Sequence, residues 1–411
     1  MLARSAAPFI VPSVFAMRKT LITAVALGAG LAVVGAPAAT AAPRPGTLVA
    51  ATALDRLDAA GVTAVLADGG ADTSQVRTGV RTYRLTYRTV GVQGEPTTAT
   101  GLVIVPQRHS RVVPTVVHTH GTLARKDYAP STELDSLAGI ASLYYAAAGN
   151  FVVAPDYLGL GQGPGTHPYG HLPTEVSASL DMLRAAGEFA RDQHLTVDRR
   201  VAVTGFSQGG RVAMGLAKQV QAGADRFWRL RGVAPVSGPY DLRGAEIPAA
   251  FDGRLDGYSA NYYLSYVAIA WNRITPLYAT ASEVFKAPYD AFVPGLFDGT
   301  KDVEDIVPQL PATPEELFTE EWIDRLRHPS GALRGLIDGG DTTCDWHPHV
   351  PVLMMAASGD RDVTIANSRH CVNQLRAAGL GVHLTDFGAQ VDHFGSAKAA
   401  LPRTLAWLRT I

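Results

Sequence analysis

Cysteine is nearly absent: Cys344 and Cys371 are the only two in 411 residues, too few for a disulfide-dense scaffold or a thiolate zinc site. Charge is sparse and balanced. Only 18% of residues are Asp, Glu, Lys or Arg and the formal net charge is −1, with no dense Lys/Arg cluster. That excludes the electrostatic footprint of a nucleic-acid partner or of an anionic membrane surface. There is no H-E-x-x-H helix, and the H-x-H pairs His118-Thr119-His120 and His347-Pro348-His349 have no recognisable third ligand, so no metal or other cofactor is expected. Beyond residue 34 no segment is long and apolar enough to span a bilayer, and neither internal repeats nor low-complexity tracts occur. What remains is a globular chain, 47% hydrophobic, able to bury one large core or two smaller ones and suited to small neutral or weakly polar substrates.

The N-terminus has its own logic. Arg18-Lys19 precede an apolar run from Leu21 to Val34 and small residues ending Ala39-Thr40-Ala41, the pattern of an export signal cleaved after Ala41, with residues 1–16 a start-site extension. Stable membrane insertion is therefore not expected once 1–41 are removed, and the protein is expected outside the cell. In an exported chain the even pair Cys344 and Cys371 is expected to be joined. A crosslink across 27 residues is worth about 3 to 4 kcal/mol in the chain-entropy model.

After a polar, Ala-rich lead-in, 83–90 and 97–105 alternate as a hairpin around Gly91-Val92-Gln93-Gly94. From there apolar strands at 112–118, 151–154, 201–204 and 230–236 alternate with amphipathic helices at 134–148, 176–190 and 208–220. The alternation resumes with strands at 350–356 and 382–387 and helices at 365–378 and 396–408. Such a pattern predicts an α/β fold with a mostly parallel sheet covered by helices on both faces, whose ligand sits at the carboxyl ends of the strands. It is interrupted between Gly238 and about His347 by a segment rich in Tyr, Trp, Phe and Pro. The core is thus expected at 42–237 and 348–411, and 238–347 as an inserted cap. Within the cap, helical spacing puts Tyr263 and Tyr266 on one face, and these with Trp271 are candidates for a substrate pocket.

The chemistry is concentrated in Gly205-Phe206-Ser207-Gln208-Gly209, between an apolar strand and a helix-like run. Two glycines there permit a sharp strand-to-helix turn that exposes Ser207 as a nucleophile. A serine hydroxyl needs an imidazole to take its proton and a carboxylate to orient that imidazole, and in this class of sheet both follow later in the chain. His393, after the last strand, is the expected base. Of Gly359-Asp360-Arg361-Asp362, the preferred acid is Asp362, on the argument that Asp360 is spent on the backbone amides of its own turn. The loop His120-Gly121-Thr122 and the backbone N–H of Gln208 are the expected oxyanion donors, around Thr122 and Gln208.

These residues resemble the alpha/beta-hydrolase superfamily, and within it the exported lipase A type secretory lipases and their bacterial relatives. Besides the elbow, the resemblance rests on Tyr87-Arg88-Thr89, Thr100-Gly101-Leu102-Val103, His120-Gly121-Thr122, Pro155-Asp156-Tyr157-Leu158-Gly159-Leu160-Gly161, His167-Pro168-Tyr169 and Asp181-Met182-Leu183-Arg184-Ala185-Ala186. It implies hydrolysis of a small-molecule or lipid ester without a cofactor, through a triad that maps onto Ser207, Asp362 and His393, and a cap that shapes the acyl site. Where lipase A proper has an aspartate in the oxyanion loop, this chain has Thr122. A peptidase or acyltransferase using the same triad is the alternative.

Overall fold

The computed structural model describes residues 44–108 and 110–411; the expected signal peptide lies outside the described residues. Among the described residues, nine strands form a single sheet in the order β1-β2-β3-β5-β4-β6-β7-β8-β9. The strands are β1 (Leu48–Leu57), β2 (Val80–Val90), β3 (Pro96–Pro106), β4 (Val113–Thr119), β5 (Phe151–Pro155), β6 (Val197–Phe206), β7 (Arg229–Val236), β8 (Met354–Ala356) and β9 (Leu384–Asp386). β1, β2, β3 and β5 pair antiparallel, and from β5 onward every pairing is parallel. The fold class read from the sequence is the one observed.

Consecutive residues explain how the sheet buries both faces. Val117, Val153 and Val203 point into one apolar layer, while their neighbours Val116, Val152 and Ala202 point into the other, as the two-residue period of a strand requires. The first layer is closed by α3 (Leu172–Asp192), α4 (Gln208–Gln221) and α12 (Ile365–Ala377); the second by α1 (Ala59–Asp68), α2 (Leu137–Ala147) and α13 (His393–Leu408). The lead-in had given no sign of β1 or α1. β1 is an edge strand whose middle residues are exposed, so it carries no alternation to read.

The interruption between β7 and β8 is helical. A wide π turn, Leu242–Glu246, runs into α5 (Ile247–Phe251), followed by α6 (Gly257–Ile274), the single turns α7 (Val293–Leu296), α8 (Val303–Ile306) and α9 (Pro314–Leu317), then α10 (Glu320–Arg327) and α11 (Gly331–Gly340). It packs an apolar cluster of its own, including Phe285, Phe297, Ile306, Leu317 and Trp322, which Tyr169 and Ala124 join from below. The Cys344–Cys371 disulfide is present and ties the segment after α11 to α12.

Candidate active site

Because β4, β6, β7, β8 and β9 are parallel, the loops leaving them emerge at one end of the sheet, and the site is assembled there. Ser207 lies between β6 and α4 with φ 57° and ψ −125°, a left-handed conformation costing a non-glycine residue about 1 to 3 kcal/mol. The flanking glycines make that turn possible. A Cβ on Gly205 would overlap Thr119 Oγ1 and the Gly209 carbonyl, and one on Gly209 would overlap the Thr119 and His120 carbonyls. The Ser207 N–H donates to Val236 O at 2.9 Å, which holds the turn against β7.

His393 opens α13, whose N-cap Asp392 accepts from Gly395 N at 2.6 Å. Its ring lies 4.5 Å from that of Phe206, the residue before the nucleophile. The carboxylate it meets is Asp360: His393 Nδ1 to Asp360 Oδ2 is 2.7 Å, and neither side chain is more than 1% exposed. The expectation of Asp362 is corrected here. Asp360 does accept from the amides of its own turn, Asp362 N and Val363 N, both at 2.9 Å, but through Oδ1, leaving Oδ2 for the imidazole. Gly359 brings the acid turn close, since a Cβ there would stand 2.5 Å from Ala389 O and 2.7 Å from Val391 O, in the loop leading to His393. Asp362 instead accepts from Tyr263 Oη at 3.3 Å. With Nδ1 bonded to a carboxylate, the ring carries its proton there, and Nε2 is buried without a hydrogen-bond partner.

The loop after β4 lies against the nucleophile: a Cβ on Gly121 would be 3.3 Å from Ser207 Cβ. Beneath it, the His120 ring sits between the carbonyls of Gly121 (2.7 Å) and Asp156 (3.1 Å), and Tyr157 Oη donates to His120 O at 3.1 Å. Asp156 in turn accepts from Thr100 Oγ1, Ser131 N and Ser131 Oγ. The Pro155 to Gly161 motif is thus a buried prop for this loop. Thr122 Oγ1 pairs with Tyr169 Oη at 2.9 Å. Gln208 stands at the first position of α4, where a backbone N–H has no intrahelical acceptor. Its side-chain amide donates to Glu175 Oε1 at 2.7 Å and lies 3.2 Å from His167 Nε2. Burial lowers the His167 imidazole to about 3, so the ring is neutral, and with Nδ1 directed at Leu158 O its Nε2 is an acceptor for that amide.

Ser207, Thr122 and Gln208 open into a pocket between sheet and insertion, whose far wall includes Ala250, Leu255, Ala260, Leu264, Leu326 and Ile337. Tyr263 and Trp271 line it. Tyr266 does not: its ring stacks on Tyr169 at 4.1 Å and its hydroxyl donates to Leu123 O, so it builds the joint between insertion and core. Helical spacing could not separate the two roles, because a turn of helix presents its face to core and cavity alike. Tyr169, from the His167-Pro168-Tyr169 motif, and Glu246, Arg211 and Glu175 also stand in or beside the pocket, and the last three are isolated polar residues with no motif that would have revealed them. Burial pushes the Glu246 carboxyl up to about 8, with Asp360 and Asp362 adding repulsion against hydrogen bonds from Asn367 and the Thr364 amide. Of the H-x-H residues, His118 Nδ1 meets Ser142 Oγ at 2.9 Å and the rings of His347 and His349 lie 5.5 Å apart; no cluster of three metal-ligating side chains occurs among the described residues.

A strained serine at a strand-to-helix elbow, a histidine–aspartate pair beside it and a helical insertion over the strand ends together define an alpha/beta hydrolase. Residues 131–225 match the family model described as secretory lipase. Among solved structures, a protein of Legionella pneumophila assigned as a hydrolase aligns with 25% identity and a TM-score of 0.82, over 88% of this chain and 97% of that one. The rice cell wall degrading esterase LipA from Xanthomonas oryzae aligns with 26% identity and a TM-score of 0.78, over 89% and 97%. Candida antarctica lipase A shares the fold, with 14% identity and a TM-score of 0.62 over 85% and 78%. A comparison with curated protein sequences finds no match. Over residues 131–225 the chain resembles the secretory lipases, and it shares its fold with an esterase and a lipase.

Proposed function

We propose that this protein is an exported serine carboxylesterase working through Ser207, His393 and Asp360. The observation that carries the reading is the buried 2.7 Å bond from His393 Nδ1 to Asp360. It leaves Nε2 unprotonated and unpartnered beside the elbow, ready to take the Ser207 proton. Ser207 Oγ then attacks the ester carbonyl, and the backbone amides of Gln208 and Thr122 stabilise the oxyanion. The imidazolium gives its proton to the leaving alcohol, an acyl-enzyme forms, and water, deprotonated by His393, releases the acid and restores the serine. The region 238–347 acts as the cap, and its apolar pocket takes the acyl chain. Secretory-lipase similarity and the disulfide support export, and no described helix is long and apolar enough to cross a membrane.

The test is hydrolysis of nitrophenyl esters beside an aminoacyl anilide. Ester turnover that vanishes in Ser207→Ala, by about 10⁴-fold or more, with the fold intact supports the reading. Retention of a tenth of the rate, or faster cleavage of the anilide, overturns it.

A further inference from the structure

The acyl pocket is apolar along most of its wall, yet two hydrogen-bond donors on it have nothing to bond. Trp271 Nε1 and Arg211 Nε are both buried without a partner, and both residues line the cavity that holds Ser207. Arg211 is anchored through Nη2, which donates to Gly170 O at 3.0 Å and to Glu175 Oε2 at 3.4 Å. Both side chains flank Gly170: the point where it would carry a Cβ is 3.4 Å from Trp271 Nε1 and 3.8 Å from Arg211 Nη2, and Gly170, with φ 72°, puts no side chain between them. An acceptor completes the set: Gln208 Oε1 is also buried and unpartnered, its amide nitrogen being taken by Glu175 and His167. Ser207 caps α4 and Arg211 is the fourth residue of that helix, so Arg211 stands about one helical turn from the nucleophile.

Buried polar atoms left unpaired are costly and rare in folded proteins. Two donors and one acceptor orphaned on the wall of one substrate cavity match the bonding capacity of a hydroxyl group, which accepts through its lone pairs and donates its proton. Resting on the proposed esterase reading, we propose that Trp271, Arg211 and Gln208 form a polar subsite for a hydroxyl on the acyl chain, selecting hydroxyacyl esters over plain fatty-acyl esters. A site built to bond a hydroxyl discriminates strongly against the analogue that lacks it, because the wall atoms then stay unpaired.

The experiment uses the mature protein and nitrophenyl esters of one leaving group. Plain octanoate is compared with octanoates carrying a hydroxyl at each successive carbon, in the parent and in Trp271→Phe, which removes the indole N–H while keeping an aromatic ring. The readout is the hydroxy-to-plain ratio of kcat/KM within each protein, so that packing damage, which lowers both rates, cancels. A preference of about tenfold at one chain position, falling at least about fivefold in Trp271→Phe, is expected. A ratio near one at every position, or a preference that Trp271→Phe leaves unchanged, overturns the subsite while turnover of plain octanoate still upholds the esterase. No turnover of any ester by the parent would overturn both.

Discussion

A carboxylate has two oxygens, and Asp360 uses them for different tasks: one closes the turn after β8, the other holds the imidazole of His393. Asparagine at 360 can supply one oxygen but presents an amide where the other was, which favours the wrong histidine tautomer. Asp360→Asn is expected to lower kcat by about 10⁴-fold, while Asp362→Asn, which only loosens a 3.3 Å contact with Tyr263, changes it by less than about tenfold. Steady-state kinetics on one ester checks the order, and equal losses would mean that the pair seen here is not the catalytic one. Glu246 yields a second test. Its folded value of about 8 stands above the ordinary 4.5, so between those values the folded state binds a proton that the unfolded chain has released. The contribution of this group to stability therefore falls as pH rises from about 4.5 to 8. Melting temperatures of Glu246→Gln relative to the parent should rise progressively over that range, and a constant difference would contradict the raised value.

At the scale of elements, the elbow is a close approach of three backbones. Gly209 permits it, since a methyl group at that position overlaps the carbonyls of Thr119 and His120 at the end of β4. Gly209→Ala should displace the oxyanion loop from Ser207. A shift of about 1 Å costs on the order of 10² in rate, and forcing an extra carbon into a packed region costs about 1 to 3 kcal/mol. Gly335→Ala, in the interior of α11 with open space around it, should instead leave activity intact and stabilise by about 0.5 to 1 kcal/mol. Activity and denaturation midpoints on the same pair separate steric from propensity effects. The insertion shows what helical periodicity alone can resolve: it identified α6 as amphipathic, but Tyr263 and Trp271 reached the pocket while Tyr266 was spent on Tyr169.

Across the whole molecule, the disulfide joins the end of the insertion to α12, the helix that follows the turn carrying Asp360. Cys344→Ser with Cys371→Ser frees a loop of 27 residues, and the loss expected from chain entropy is about 3 to 4 kcal/mol. The denaturant midpoint should fall accordingly. Turnover per folded molecule should change little, because neither sulfur touches the pocket. An unchanged midpoint would show that the crosslink adds nothing to packing already in place.

Period, punctuation and chain order were enough to locate the parallel sheet, both helical layers and the cysteine pair, and to single out the insertion, Ser207 and His393 as candidates, because each is written in neighbouring residues: strand alternation, a glycine-flanked serine, a histidine just past the last strand. The acid was a different matter. Asp360 and Asp362 sit in the same turn with the same chemistry, and only the close approach of Gly359 to the loop at 389–391 decides which of them meets the imidazole. Likewise β1, exposed at the edge, Glu246 at the end of a π turn, and the unpaired donors of Trp271 and Arg211 leave no trace in local sequence. Their surroundings come from segments far apart in the chain, so burial, unmet hydrogen bonds and the raised carboxyl exist only once the sheet and the insertion have closed on one another.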